Sequence, residues 1–390
     1  MIHYTGRIIE FVAILGCISS SIYYLFCLWS AAAFLRERKA GGGARPTPTL
    51  PPVSILKPLK GIDPNIYESF RSHCLQDYPE CEIVFGVSDA ADPAVLAVQR
   101  LQQEFTSRAI RLVVCPNILG ANVKVSNLAQ MLEVAHHQYL MVNDSDIQVE
   151  ADYLRRVMAP LTDEGVGMVT CLYRGVAELT LGSRLESLGI STDFCAGVLV
   201  ARLLEGGVRF GLGSTLAFRR SDLERIGGFR SLVDFLADDY ELGRRIAGLG
   251  LQIVLSDVVV ETHLPKYDLS GFLAHQIRWA RGVRDSRKGG YVGLVSTFGL
   301  MWAVVNLIVS HAEPWSWATL GGVALLRFAV ALAVGKGVLQ DRRLLKNLWL
   351  LPVRDLVAVF VWVASFAGHT VTWRGDRFEL KDGRLVRVTS

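Results

Sequence analysis

The chain has 390 residues, which allows one large domain plus membrane segments, or two domains. Its 41 basic and 37 acidic residues leave a formal charge of +4, so no global field recruits nucleic acid or an acidic polymer. A hydrophobic content of 51% argues against an ordinary soluble protein and 20% charged residues against a wholly embedded one, while seven scattered cysteines without a CxxC pair suggest neither a disulfide framework nor a zinc site and fit a reducing compartment.

Phe11 to Leu35 is a run of 25 residues without a charge, long enough to cross a hydrocarbon core of about 30 Å. A secretory signal is the alternative, with Ala31, Ala32 and Ala33 as its cleavage site. Signal cores are shorter, however, and carry their positive charge in front. Residues 1–39 therefore read as an uncleaved anchor, and Arg36, Arg38 and Lys39 put its C-terminal side in the cytoplasm. Residues 40–52 (AGGGARPTPTLPP) read as a linker, flexible and then stiff.

Residues 53–290 change to short apolar β-rich runs alternating with amphipathic stretches, the α/β pattern. Strands are expected at Val53 to Leu56, Glu82 to Val87, Ile110 to Val114 and Tyr139 to Val142, with helices near Pro64 to Leu75, Pro93 to Phe105 and Asn122 to His136. The pattern predicts a parallel sheet whose C-terminal strand ends carry function. Those ends hold Lys57, Asp89 and the pair Asp144 and Asp146.

Apolar character returns over residues 291–373. Tyr291 to Ser310 has no charge, Trp315 to Val334 has only Arg327, and Leu356 to Val371 is shorter. Arg342, Arg343 and Lys346 mark the intervening loop as cytoplasmic, as Arg374, Arg377, Lys381, Arg384 and Arg387 do for a basic tail over residues 374–390. Both assignments hold together if Leu344 to Val371 is re-entrant or interfacial.

Three clusters can carry chemistry. Asn143-Asp144-Ser145-Asp146 directly follows a strand, and its carboxylates can turn toward one hard cation, Mg²⁺ or Mn²⁺, at a diphosphate; an Asx turn is the plainer reading. Asp238-Asp239 opens a helical pattern and is either an N-cap or the separate carboxylate base that an inverting transfer needs. In His275-Gln276-Ile277-Arg278-Trp279, Trp279 offers a stacking surface and Arg278 a bidentate phosphate partner, although a basic juxtamembrane helix would look the same.

SILKPLKG (Ser54 to Gly61), SDAADPA (Ser88 to Ala94), GANVKVSNL (Gly120 to Leu128), NDSD, LADDY and HQIRW appear in this order between one N-terminal and several C-terminal apolar segments. Together they resemble the ceramide glucosyltransferase family and its bacterial hopanoid-biosynthesis relatives, over nearly the whole chain. The resemblance implies a GT-A type nucleotide-sugar-binding domain with N- and C-terminal transmembrane helices, in a multi-pass protein of the inner membrane with its catalytic domain cytoplasmic. It implies inverting transfer of glucose or N-acetylglucosamine from a UDP-sugar to a membrane-lipid hydroxyl, with a hopanoid polyol slightly favoured over ceramide. By the same resemblance Asp89 contacts uridine, Asp144 and Asp146 hold the metal and diphosphate, and Asp239 is the base. Arg278 and Trp279 match the last two positions of the Q/RxxRW motif, implying contacts with diphosphate and acceptor. His275 departs from its first position, where Gln or Arg is usual. His263 is a candidate metal or phosphate ligand or a structural histidine, and Lys57 and Lys124 either line the nucleotide site or are solvated loop lysines. A processive polysaccharide synthase would need more spans, and a transporter more polar residues within them.

Overall fold

The computed structural model describes residues 2–41, 50–373 and 376–387. Most of the expected linker and parts of the tail, Arg374 included, lie outside the described residues. Two compact units emerge. One comprises residues 1–41, 179–203 and 266–369, and the other residues 42–178, 204–265 and 370–390. Residues 179–203 and 266–290, expected within a continuous 53–290 domain, thus cluster with the apolar helices, and the C-terminal segment clusters with the sheet.

The sheet unit is built on eight strands: β1 (Val53–Leu59), β2 (Cys81–Val87), β3 (Ala109–Val114), β4 (Tyr139–Val142), β5 (Ile147–Gln148), β6 (Val166–Val176), β7 (Leu216–Arg219) and β8 (Gln252–His263). Their order is β3-β2-β1-β4-β7-β6-β8-β5. The first four strands are parallel, and β1 is buried at every residue because helices cover both faces of such a sheet. The four strands expected from the sequence are these parallel ones; the sheet as a whole is mixed, because β7 runs antiparallel to both β4 and β6. That reversal sets the site. With Val142 paired to Leu216, the chain leaving β4 passes the chain entering β7. A second, antiparallel sheet joins β9 (Thr370–Trp373), β10 (Asp376–Lys381) and β11 (Arg384–Arg387).

In the other unit, four described helices are long and apolar enough to cross a membrane: Gly6–Ala40, Leu181–Leu204, Pro314–Val338 and Leu344–Ser365. Lys288–Thr297 and Gly299–Val309 meet at a 51° bend and qualify together as a fifth candidate, broken or re-entrant. Charges within these helices neutralise one another, as apolar surroundings require. Arg327 lies 2.6 Å from Asp355 and 2.5 Å from Asp193, and Arg354 lies 3.3 Å from Asp193.

Candidate active site

The turn after β4 is held from within. Buried Asn143 donates through Nδ2 to the Ser214 carbonyl at 2.7 Å and to Tyr153 Oη at 2.9 Å, fixing the backbone from which Asp144 projects. Ser145 donates to Asp63, and Thr262 of β8 donates to the Asp146 carboxylate. Removal from water, then the neighbouring Asp144 charge, push Asp146 up to about 6.

Asp238 and Asp239 open the helix Asp238–Gly248, whose N-cap is Ala237 without a side-chain capping bond, so the pair sits inside the first turn and not at the cap. Asp239 Oδ2 accepts the Gly213 N–H at 2.8 Å, and Oδ1 accepts the Tyr240 N–H at 2.8 Å. Gly213 lies in the stretch entering β7, beside the β4 exit. A β-carbon there would stand 3.0 Å from Asp144 Oδ2 and 3.2 Å from Asp239 Oδ2. The two acidic motifs, 95 positions apart in the chain, therefore converge on one backbone position where a side chain would crowd both carboxylates. Burial and the adjacent Asp238 charge raise the pKa of Asp239, with Lys124 opposing.

Lys124 Nζ lies 2.8 Å from Asp144 Oδ1 and 3.3 Å from Asp238 Oδ2. Burial alone would lower its pKa, but Asp144, Asp238 and Asp239 outweigh that and raise it. Lys57 is fully buried in β1, donates from Nζ to the Asp144 carbonyl at 3.0 Å, and is lowered to about 7 by burial against the pull of Asp146 and Asp144. Neither is a solvated loop lysine: Lys124 is the counter-cation of the acidic cluster, and Lys57 is a buried donor to the backbone of the Asp144 turn. Sequence reading had no signal for this beyond the place of Lys57 on a buried strand and of Lys124 two residues after the N-cap Asn122, in the first turn of its helix.

Asp89 follows β2 at the same end of the parallel strands, exposed, its Oδ1 accepting the Ala91 N–H at 2.9 Å. His263 contacts Gln148 Oε1 at 2.8 Å, at the end of β8. Among the described residues no three His, Cys, Asp or Glu side chains form a ready cation cage. The donor set nonetheless suits a magnesium-type ion, which takes one or two carboxylates and completes its shell with water and phosphate oxygens.

In the unit of apolar helices, His275, Arg278 and Trp279 share the helix Leu269–Ser286. Arg278 donates to His275 Nδ1 at 3.0 Å, and the Trp279 ring centroid lies 5.3 Å from His275 and 6.1 Å from Phe194. Burial, then the Arg278 charge, lower His275 to about 3, so it is a neutral hydrogen-bonding group and not a second cation. Gln276 donates to the buried Glu186 at 2.7 Å, an anchor no motif had indicated.

The chain is similar to a mannosyltransferase from Pyrobaculum calidifontis solved in complex with GDP-Man and Mn²⁺, at 22% identity and a TM-score of 0.52, over 89% of this chain and 99% of that one. This likeness establishes the GT-A type fold. Ceramide glucosyltransferase 1 of Caenorhabditis elegans is 22% identical over 97% of this chain and 82% of its own, and ceramide glucosyltransferase 3 of the same organism is 23% identical over 87% and 74%. The model of glycosyl transferase family 21 matches residues 12–386, nearly the full length, and the chain belongs to that family.

Proposed function

We propose that this glycosyltransferase moves a hexose from a UDP-sugar to a hydroxyl of a membrane lipid with inversion at the anomeric carbon. The observation that carries the reading is the convergence of Asp144 and Asp239 at Gly213, which sets a carboxylate suited to the diphosphate end beside one suited to the acceptor. Asp144 and Asp146 would hold Mg²⁺ or Mn²⁺; when bound, the ion neutralises charge on the departing UDP. The Mn²⁺ in the Pyrobaculum mannosyltransferase supports a divalent ion here. Lys124 keeps Asp144 and Asp238 in register. Asp239, with its pKa raised toward the working range, accepts the acceptor hydroxyl proton on Oδ1 or Oδ2 as the oxygen attacks. Asp89 would contact uridine, and His275, Arg278 and Trp279 the diphosphate and acceptor. The catalytic unit would face the cytoplasm at the inner membrane, as Arg36, Arg38 and Lys39 after the first apolar helix indicate.

For the acceptor, the names of the curated relatives favour ceramide at least as strongly as a hopanoid polyol. Membranes containing the protein should be incubated with labelled UDP-glucose or UDP-N-acetylglucosamine and either ceramide or bacteriohopanetetrol, with and without EDTA. Label is expected in one glycolipid and lost with chelator. Absence of label from every lipid would overturn the reading, and full transfer in EDTA would overturn the metal.

A further inference from the structure

Residues 232–237 lead directly into the helix that carries Asp238 and Asp239, and they are gripped from two sides. On one side Ala121 N–H donates to Asp234 Oδ1 at 3.0 Å, Asn122 N–H to the Val233 carbonyl at 2.6 Å, and Asn122 Nδ2 to the Phe235 carbonyl at 2.8 Å. On the other side stands the hairpin of β10 and β11. Leu385 N–H donates to the Asp234 carbonyl at 2.6 Å and Leu236 N–H to the Gly383 carbonyl at 3.1 Å, so that Phe235 and Arg384 form an antiparallel bridge. Asp382 and Gly383, at φ 49° and 79°, make the tight turn that presents this edge. Two guanidinium groups lie over the Phe235 ring, Arg384 at 5.1 Å and Arg245 at 5.2 Å, and Arg245 belongs to the helix that carries the acidic pair. Beneath, Val371, Phe378, Leu380 and Leu385 are buried, with Ala121 and Leu236 packed against them. Residues 376–387 are thus a folded clamp on a loop and not a loose basic tail.

We propose that this C-terminal hairpin is a positioning device for the transfer step: by pairing with residues 234–236 it fixes the entry of the Asp238–Gly248 helix and hence the place of the Asp239 carboxylate. The proposal rests on the reading of Asp239 as base. Arg384 and Phe235 are positioning residues, since both act through the loop. A reacting group displaced by about 1 Å loses on the order of a hundredfold in rate, so a loosened loop should cost turnover well before it costs donor binding.

The test uses the full chain in detergent or membranes. Arg384 is exposed, so its replacement leaves the core beneath intact. Arg384→Gln and Phe235→Leu should lower kcat about tenfold. Donor KM and UDP affinity should stay within about twofold of the parent, and Arg384→Lys and Phe235→Tyr should restore most of the turnover because they keep the cation and the ring. Wild-type turnover in the first two variants, a matching loss of UDP affinity, or no recovery with the conservative pair would each overturn the proposal. Asp239→Asn run alongside separates the two ideas. An active Asp239→Asn protein removes the base reading, whereas an inactive one beside normal Arg384→Gln and Phe235→Leu proteins removes only the role of the hairpin.

Discussion

Lys124 stands 2.8 Å from Asp144, with Asp238 3.3 Å from the same ammonium, so one cation ties the turn after β4 to the first turn of the Asp238–Gly248 helix. Asp144, Asp238 and Asp239 all act on this ammonium, and Lys124 is the counter-cation that the geometry supplies. Lys124→Met keeps the stem and deletes the charge. Transfer should fall about a hundredfold, the scale of losing one oriented electrostatic partner, with part of the loss recovered at high Mg²⁺. Turnover of the variant measured across a magnesium series checks this, and wild-type rates at low magnesium would contradict it.

Gly213 gives the most local test of convergence. In Gly213→Ala the new methyl carbon would stand 3.0 Å from Asp144 Oδ2 and 3.2 Å from Asp239 Oδ2, so both carboxylate oxygens must give by a few tenths of an ångström. Transfer should drop at least about tenfold while the circular dichroism spectrum and melting profile stay close to the parent. Unchanged transfer would mean that the two carboxylates do not act together.

Much of this site is legible from sequence, because Asp144, Asp146 and Asp239 are acidic residues where strands and helices begin or end, which periodicity reveals. What joins them is not legible. The approach of Gly213 depends on β7 running backwards between β4 and β6, and four residues (LAFR) carry no sign of direction. The helix Leu181–Leu204 is hidden in the same way, because Arg184, Glu186, Asp193 and Arg202 mask its apolar length until their partners are known. The C-terminal sheet did have a signal. Phe378 and Leu380 alternate with charged residues, Asp382-Gly383 is a strong hairpin turn, and Leu385 resumes the buried face. Its many basic residues pointed instead to a cytoplasmic basic tail.

Asp146 supplies a pH dependence. Its removal from water and the Asp144 charge raise it from 3.8 to about 6, so between those values the native protein holds a proton that the unfolded chain has released. The stability contributed by the neutral form is fully present below about 3.8 and is lost as pH rises through about 6. Asp146→Asn stays neutral throughout. In metal-free protein it should melt a few degrees above wild type at about pH 8 and at nearly the same temperature at about pH 4, and added Mg²⁺ should narrow the gap at the higher pH. Calorimetry or thermal fluorescence reads this directly, and identical melting at high pH without metal would contradict the raised pKa.

Asp239 carries the central claim, and one substitution tests it. Its carboxylate accepts backbone N–H groups from Gly213 and Tyr240, bonds that the single oxygen of an asparagine amide can keep only in part but without loss of shape. Asp239→Asn therefore preserves size and helix start while removing basicity. The decisive measurement is turnover of purified wild-type and Asp239→Asn protein at saturating UDP-sugar and lipid acceptor, with UDP affinity determined in parallel. Loss of transfer by at least about a hundredfold with UDP binding retained is the predicted result; turnover close to wild type would contradict the role of Asp239 as the base.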